Sequence, residues 1–279
     1  MYLKSFLDAY ASNGFGMHEA RAEINFALDV LFEYTYKDFL LGRKLSDAQI
    51  KQAQAVFDER TSLKKPIQLI LGQAYFLGRR FFTDKYTLIP RPETELLVKE
   101  ALALSKQLKN PDILDIGTGT GCIGISLMLE NPEIKADMSD IQLNALKTAE
   151  RNAAFHKVSD RAGFIPSDLF ENIGKKYDII VSNPPYIPLK DKETLQLEVK
   201  NYEPDTALFT RDDFGLEFYE KIISAAPRFL KTRSAIAFEL GVNQAEKAAG
   251  LLENNGFSNI KIIKDFNSID RIITAFLQY

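Results

Sequence analysis

Only one cysteine and two histidines occur among the 279 residues. A lone Cys122 excludes an intramolecular disulfide and any zinc site built on cysteine pairs, and it suits a reducing cytoplasm. His18 and His156 have no third ligand near them in sequence, so neither marks a metal site. No apolar run reaches the roughly 18 residues that a membrane-spanning helix needs. The opening MYLKSFLDAYASNG has the spacing of an amphipathic helix and not that of a cationic signal peptide. An excess of positive charge is also missing. With 35 Lys and Arg against 38 Asp and Glu, the formal charge of −3 supplies no basic field for neutralising phosphates. The expectation is a monomeric cytoplasmic protein with no membrane segment and no stable nucleic-acid binding.

Apolar residues make up 46% of the chain, enough for a sizeable core. There is no internal repeat and no low-complexity segment. Residues 1–72 show helical spacing, with Ile24, Leu28, Leu31 and Phe32 recurring at steps of three and four. Ser46 and Gln49 have the spacing of a capping box, and Pro66 is expected to end the helical region. Residues 73–91 contain aromatic and β-branched runs around Gly78 and Asp84, which predicts a linking β-hairpin. Across 92–279 short apolar runs alternate with amphipathic helices, the pattern of a parallel sheet covered on both faces. Strands are predicted at Asp112–Gly117, Lys135–Asp140, Gly163–Asp168, Tyr177–Asn183, Ala235–Leu240, Asn259–Asp265 and Arg271–Leu277. Only Phe266–Asp270 joins the last two, too short for a helical crossover, so they must pair antiparallel. The fold class is α/β: a seven-stranded Rossmann-like domain preceded by a small all-α helical bundle.

The first predicted strand runs into Asp115-Ile116-Gly117-Thr118-Gly119-Thr120-Gly121 and then into a helix. Glycines at such a turn let a ligand approach the backbone closely. Gly119, Gly121 and Gly124 also satisfy G-x-G-x-x-G, so this motif by itself implies an adenosine-containing cofactor without choosing one. The next strand ends at Asp140, placed to accept the hydroxyls of a ribose; Asp137 is the rival for that role. The third ends at Asp168-Leu169-Phe170, where a carboxylate could meet an adenine amine and two apolar side chains could cover the ring. The alternatives are a helix cap for Asp168 and a core position for Phe170.

The fourth strand runs into Asn183-Pro184-Pro185-Tyr186. Two prolines fix two φ angles and remove two backbone donors, leaving rigid carbonyl acceptors at the end of the sheet. A planar nitrogen with two N–H bonds fits the Asn183 side-chain oxygen and the Pro184 carbonyl, while Tyr186 would confine the plane of the substrate. Such acceptors stabilise a nitrogen that gains positive charge as it attacks the methyl group of a sulfonium. This selects S-adenosylmethionine as methyl donor over a nicotinamide.

Taken in order, Pro66–Gly72, Leu88–Glu95, the glycine run, Asn183–Ile187, Glu203-Pro204 and Phe238–Gly241 resemble the release factor glutamine N5-methyltransferase family over nearly the whole chain. The resemblance implies a helical domain that helps bind a peptide chain release factor and a methyltransferase domain that modifies the glutamine of its Gly-Gly-Gln loop. It assigns cofactor binding to Gly117–Gly121 and Asp140, and contact with both cofactor and substrate to Asn183. Arg91, Pro92 and Glu95 would line the same cavity, with an Arg91–Glu95 ion pair at a helix start as the alternative. The sequence departs from the family's pattern at Gln142-Leu143 and at Phe214. Glutamine of a ribosomal protein, or an exocyclic amine of a nucleic-acid base, offers the same N–H geometry, because the motif specifies the nitrogen and not the polymer.

Overall fold

The computed structural model describes residues 2–278. Two compact units are present, Met1–Gln73 together with Gln196–Tyr202, and Ala74–Leu195 together with Glu203–Tyr279. Among the described residues no helix is long and apolar enough to cross a membrane.

The first unit is helical, with helices Tyr2–Ser12, Met17–Phe32, Tyr36–Leu40, Asp47–Leu63, Ile67–Leu71 and Leu197–Tyr202. Ser46 caps Asp47–Leu63 reciprocally with Gln49, as the spacing predicts. Lys64 takes the left-handed conformation and ends that helix. Pro66 does not end the helical region, because it sits at the start of the next short helix, where its missing N–H costs no bond. Phe6, Tyr10, Ile24, Leu28 and Phe57 form the core. Arg60 is buried beside it and held by Glu23 at 2.8 Å, Glu198 at 2.8 Å and Glu19 at 3.2 Å. Three carboxylates offset the desolvation of one guanidinium, and through Glu198 they fasten Leu197–Tyr202 to this unit.

The second unit begins at Ala74, within β1 (Gln73–Phe76), which forms a hairpin with β2 (Arg79–Phe82). Its turn lies at Leu77-Gly78. The Lys85–Leu88 run is not a strand; Asp84 Oδ1 accepts from Tyr86 N at 2.8 Å and folds that stretch into a turn. Strands β3 (Asp112–Ile116), β4 (Lys135–Asp140), β5 (Ala162–Pro166) and β6 (Tyr177–Ser182) follow. A short pair, β7 (Ile187–Pro188) and β8 (Phe209–Thr210), precedes β9 (Leu230–Glu239), β10 (Phe257–Lys264) and β11 (Asp270–Leu277). The main sheet has seven strands in the order β10-β11-β9-β6-β3-β4-β5. β11 is antiparallel to both neighbours, as the short connection requires, and the rest of the ladder from β9 to β5 is parallel. β9 starts five residues before the predicted Ala235, because Leu230 pairs with Tyr177 ahead of a register shift.

Alternation along the strands divides the core between two faces. Leu114, Ile180, Ile236 and Phe238 pack with the helices Glu217–Ala225 and Ala245–Asn254. Ile113, Ile179, Val181 and Ala237 pack with Thr94–Ser105 and Cys122–Glu130. With both faces covered, the carboxyl ends of β3, β4, β5 and β6 are left as the place where an open parallel sheet holds a ligand.

Candidate active site

A cavity of about 610 Å³ opens at those carboxyl ends, within the range of roughly 300–1,000 Å³ usual for small-molecule sites. Its β3 side is made by Gly117, Thr118, Gly119 and Thr120. Gly119 and Gly121 have φ of +56° and +78°, a region closed to most side chains. A Cβ on Gly119 would enter open space, whereas one on Gly121 would stand 2.9 Å from Ile125 Cδ1 and 3.1 Å from Ala149 Cβ. One glycine thus keeps the cavity clear, and the other lets two helices close on the loop.

Two acids hold this loop from different sides. Asp115 is fully buried and does not line the cavity. Its Oδ2 accepts from Thr118 Oγ1 at 2.6 Å and from Gly124 N at 3.2 Å, while Oδ1 has no partner. Burial pushes its carboxyl up to about 7, against the pull of those two bonds. Asp140 lines the cavity and accepts from Gly119 N at 2.9 Å and Gln142 N at 2.8 Å. Its burial also raises its pKa, opposed by backbone hydrogen bonds. Asp137 points elsewhere, to Tyr177 Oη at 2.8 Å and Lys175 at 3.0 Å, so of the two rivals only Asp140 reaches the cavity. Asp168 and Leu169 line the wall beside it. Phe170 does not: it lies in the core with its ring stacked on Phe229, centroids 4.5 Å apart, because the chain turns inward after a left-handed Leu169.

The opposite side is made by Asn183, Pro184 and Pro185. Tyr186 is not among the lining residues. Its hydroxyl reaches Glu239 Oε1 at 3.3 Å, and its carbonyl accepts from Gln244 Nε2 at 2.9 Å. Burial first, then the Glu239 charge, raises the phenol well above its ordinary value. Gly215 and Gly241 allow this packing, since a Cβ at Gly215 would stand 2.1 Å from the Tyr186 carbonyl oxygen and one at Gly241 would stand 2.9 Å from its ring. Asn183 Nδ2 donates to Thr94 Oγ1 at 3.2 Å, and Thr94 Oγ1 donates to Glu239 Oε2 at 2.5 Å. Glu239 is buried, and burial lifts its carboxyl to about 7 in spite of Thr94, Arg271 and Tyr186.

Arg91 lines the cavity but its partner is the buried Glu203, which also accepts from Ile89 N at 3.3 Å. Glu95 belongs to neither the cavity nor an Arg91 ion pair: it accepts from Leu77 N at 2.8 Å and caps the hairpin turn. Pro92 does not line the cavity either, although Arg91 before it and Thr94 after it do. Thr94, Glu203 and Gln244 are absent from the residues singled out in sequence as site-forming. Thr94 and Glu203 lie inside segments that carry the resemblance, but no local pattern reports a contact spanning 145 residues such as Thr94 to Glu239.

Residues 92–199 match the family model described as Methyltransferase small domain. Among curated proteins, the chain is 38% identical over 255 residues to the release factor glutamine methyltransferase of Fusobacterium nucleatum subsp. nucleatum, covering 87% of this chain and 72% of that one. It is 39% identical over 246 residues to the protein of the same name from Chlorobaculum tepidum, covering 85% and 82%. Among solved structures, the hMettl16 catalytic domain in complex with MAT2A 3'UTR hairpin 1 superposes with a TM-score of 0.57 at 16% identity, covering 92% of this chain and 91% of that one, which is a likeness of fold alone.

Proposed function

Because the chain belongs to the release factor glutamine methyltransferase family, we propose that it transfers the methyl group of S-adenosylmethionine to the side-chain amide nitrogen of the Gly-Gly-Gln glutamine in a peptide chain release factor. The observation that carries this reading is the position of Asn183 and Pro184 in the same cavity as the Gly117–Thr120 loop and Asp140. The residues fit the cofactor. Open space at Gly117 and Gly119 admits a ligand against the backbone, and Asp140 supplies a carboxylate for a pair of ribose hydroxyls. Asp168 and Leu169 extend that wall and would meet the adenine.

The bound cofactor supplies an electrophilic methyl group on a positively charged sulfur. The chain's own task is to orient the attacking nitrogen. An amide nitrogen is a poor nucleophile, because its lone pair is delocalised into the carbonyl. Asn183 Oδ1 and the Pro184 carbonyl accept its two N–H bonds and stabilise the positive charge that grows on it, more in the transition state than before. Alignment is the second contribution, and in well-oriented reactions it is worth up to about 7–11 kcal/mol. Tyr186, pinned through Glu239 and Gln244, keeps the Asn-Pro-Pro turn rigid instead of stacking on the substrate. Arg91, fixed by Glu203, presents a cation at the rim for the substrate chain. The helical unit would recognise the body of the release factor.

Incubation with labelled S-adenosylmethionine and a bacterial release factor tests the reading. Label is expected on the intact factor and not on one whose Gly-Gly-Gln glutamine is alanine. Label on both, or only on ribosomal protein or nucleic acid, would assign a different substrate.

A further inference from the structure

We propose that Glu239 is a positioning residue that, acting through the hydroxyl of Thr94, decides which end of the Asn183 amide faces the substrate. The inference rests on the methyl-transfer reading above and concerns a carboxylate outside the cavity that acts through Thr94, which lines it. Glu239 ends β9 and does not line the cavity. The groups that face it come from several elements, and the buried Cys122 thiol of the helix Cys122–Glu130 is one of them. Thr94 Oγ1 arrives from the start of the helix Thr94–Ser105, with Glu93 adding an acid just before it. Tyr186 Oη arrives from the turn after β6, and Tyr219 Oη donates to the Glu239 backbone carbonyl at 2.8 Å. Arg271 of β11, whose guanidinium is held by the Leu240 carbonyl and Asp265, adds the favourable charge.

An ionised carboxylate can only accept hydrogen bonds. The single proton of the Thr94 hydroxyl must then go to Glu239, over the observed 2.5 Å. Thr94 Oγ1 is left as an acceptor, so the end of Asn183 that meets it at 3.2 Å must be the NH2 group. The amide is planar, and its oxygen is thereby turned to the cavity that Asn183 lines, where it accepts from a substrate N–H. With Glu239 protonated, every bond in this row can reverse. The acid donates to Thr94, Thr94 donates to the Asn183 oxygen, and the NH2 group turns outward to oppose the N–H bonds it should receive. The switch needs only a turn of the Asn183 amide about its Cβ–Cγ bond, which exchanges its oxygen and nitrogen, while Thr94 and Glu239 change protons in place.

Three variants and one spectrum test this. Thr94→Val keeps shape and removes the hydroxyl. It is expected to lower kcat by about 10²-fold, the scale of a misaligned reacting group, with cofactor affinity by calorimetry unchanged. Thr94→Ser, which restores the hydroxyl, should recover most of the rate. Wild-type kcat should fall on the acid side of about pH 7, where Glu239 takes up its proton, and Glu239→Gln should lack that limb. Wild-type rates in Thr94→Val, or an unchanged acid limb in Glu239→Gln, would overturn the proposal. The side-chain amide signals of Asn183, followed by 15N NMR with cofactor bound, require no substrate. They should titrate in wild type and not in Thr94→Val. Equal titration in both would overturn the relay even if glutamine proved the wrong substrate, whereas a wild type that labels no glutamine but shows the expected titration would overturn only the substrate reading.

Discussion

The β3 and β6 sides of the cavity are held in different ways. At β3 the contacts are short in sequence and mostly made by backbone: Thr118 Oγ1 and Gly124 N on Asp115, Gly119 N on Asp140. At β6 they are made by side chains brought from far along the chain, Thr94, Glu239 and Gln244 around Asn183 and Tyr186. A loop that only has to cradle a ligand can be shaped by glycines and one acid. A group that must receive two N–H bonds in a set orientation needs its own rotamer and proton arrangement fixed by neighbours. The β3 side therefore has the character of a binding surface, and the β6 side that of an aligned reacting group.

The sharpest break of this comparison is Asn183→Ala. Removing one preorganised group of this kind is expected to lower turnover by about 10²–10³-fold, with a much smaller loss of cofactor affinity in calorimetry. A parallel loss of cofactor binding would mean that the two sides are one unit. Next in size comes Gly121→Ala. Strain at φ +78° and contact with Ile125 and Ala149 should together cost about 3 kcal/mol in denaturant unfolding. Gly117→Ala, at φ +68° but facing open space, should cost about 1 kcal/mol, with its larger effect on cofactor affinity. Equal losses for both would show that backbone conformation, and not packing, sets the loop. Third, Asp140→Asn puts an NH2 group against one of two backbone donors, Gly119 N or Gln142 N. It should weaken the cofactor about 10- to 30-fold, the size of one mispaired hydrogen bond, with the KM for the protein substrate unchanged.

The same contrast explains what could be read from the sequence. The seven strands, the antiparallel last pair, the capping box at Ser46 and the glycine turn each depend on residues a few positions apart, and each is visible as a local pattern. Asn183 and its prolines stand out for the same reason. Phe170 was ambiguous because an apolar residue after a strand fits either a ring-covering or a core role, and only the left-handed turn at Leu169 sends it inward. Glu95 lies within reach of Arg91 in sequence, yet the hairpin turn supplies a backbone donor and Glu203 supplies Arg91 with a buried partner. Tyr186 was expected to confine the substrate; its hydroxyl instead follows the buried carboxylate at the end of β9. In each case the deciding contact came from another part of the chain.

The smallest expected effect is a slope, and it compares the two sides directly. Asp115 and Glu239 are both fully buried and both lifted to about 7 by burial, from ordinary values of 3.8 and 4.5. Above about pH 4 the folded protein keeps the protons of these two acids longer than the unfolded chain does, so stability falls as pH rises toward 7 and levels off above it; Asp140, also raised by burial, adds to the same slope in wild type and in both variants. One such proton contributes at most about 1.4 kcal/mol per pH unit. Urea unfolding from pH 4.5 to 8 should therefore show a shallower decline in Asp115→Asn and, separately, in Glu239→Gln, each relative to wild type. Acids held low by partners, such as Asp112 beside Lys231 and Lys175, titrate below this window and cancel in the comparison. Above pH 7 both carboxylates are buried and charged, but with different company. Glu239 has Thr94, Tyr186 and Arg271 around it, whereas Asp115 keeps one oxygen without a partner. Asp115→Asn should accordingly relieve more of the alkaline loss than Glu239→Gln. The reverse order would mean that the β6 relay, and not the loop beneath the glycines, is where the fold stores its cost.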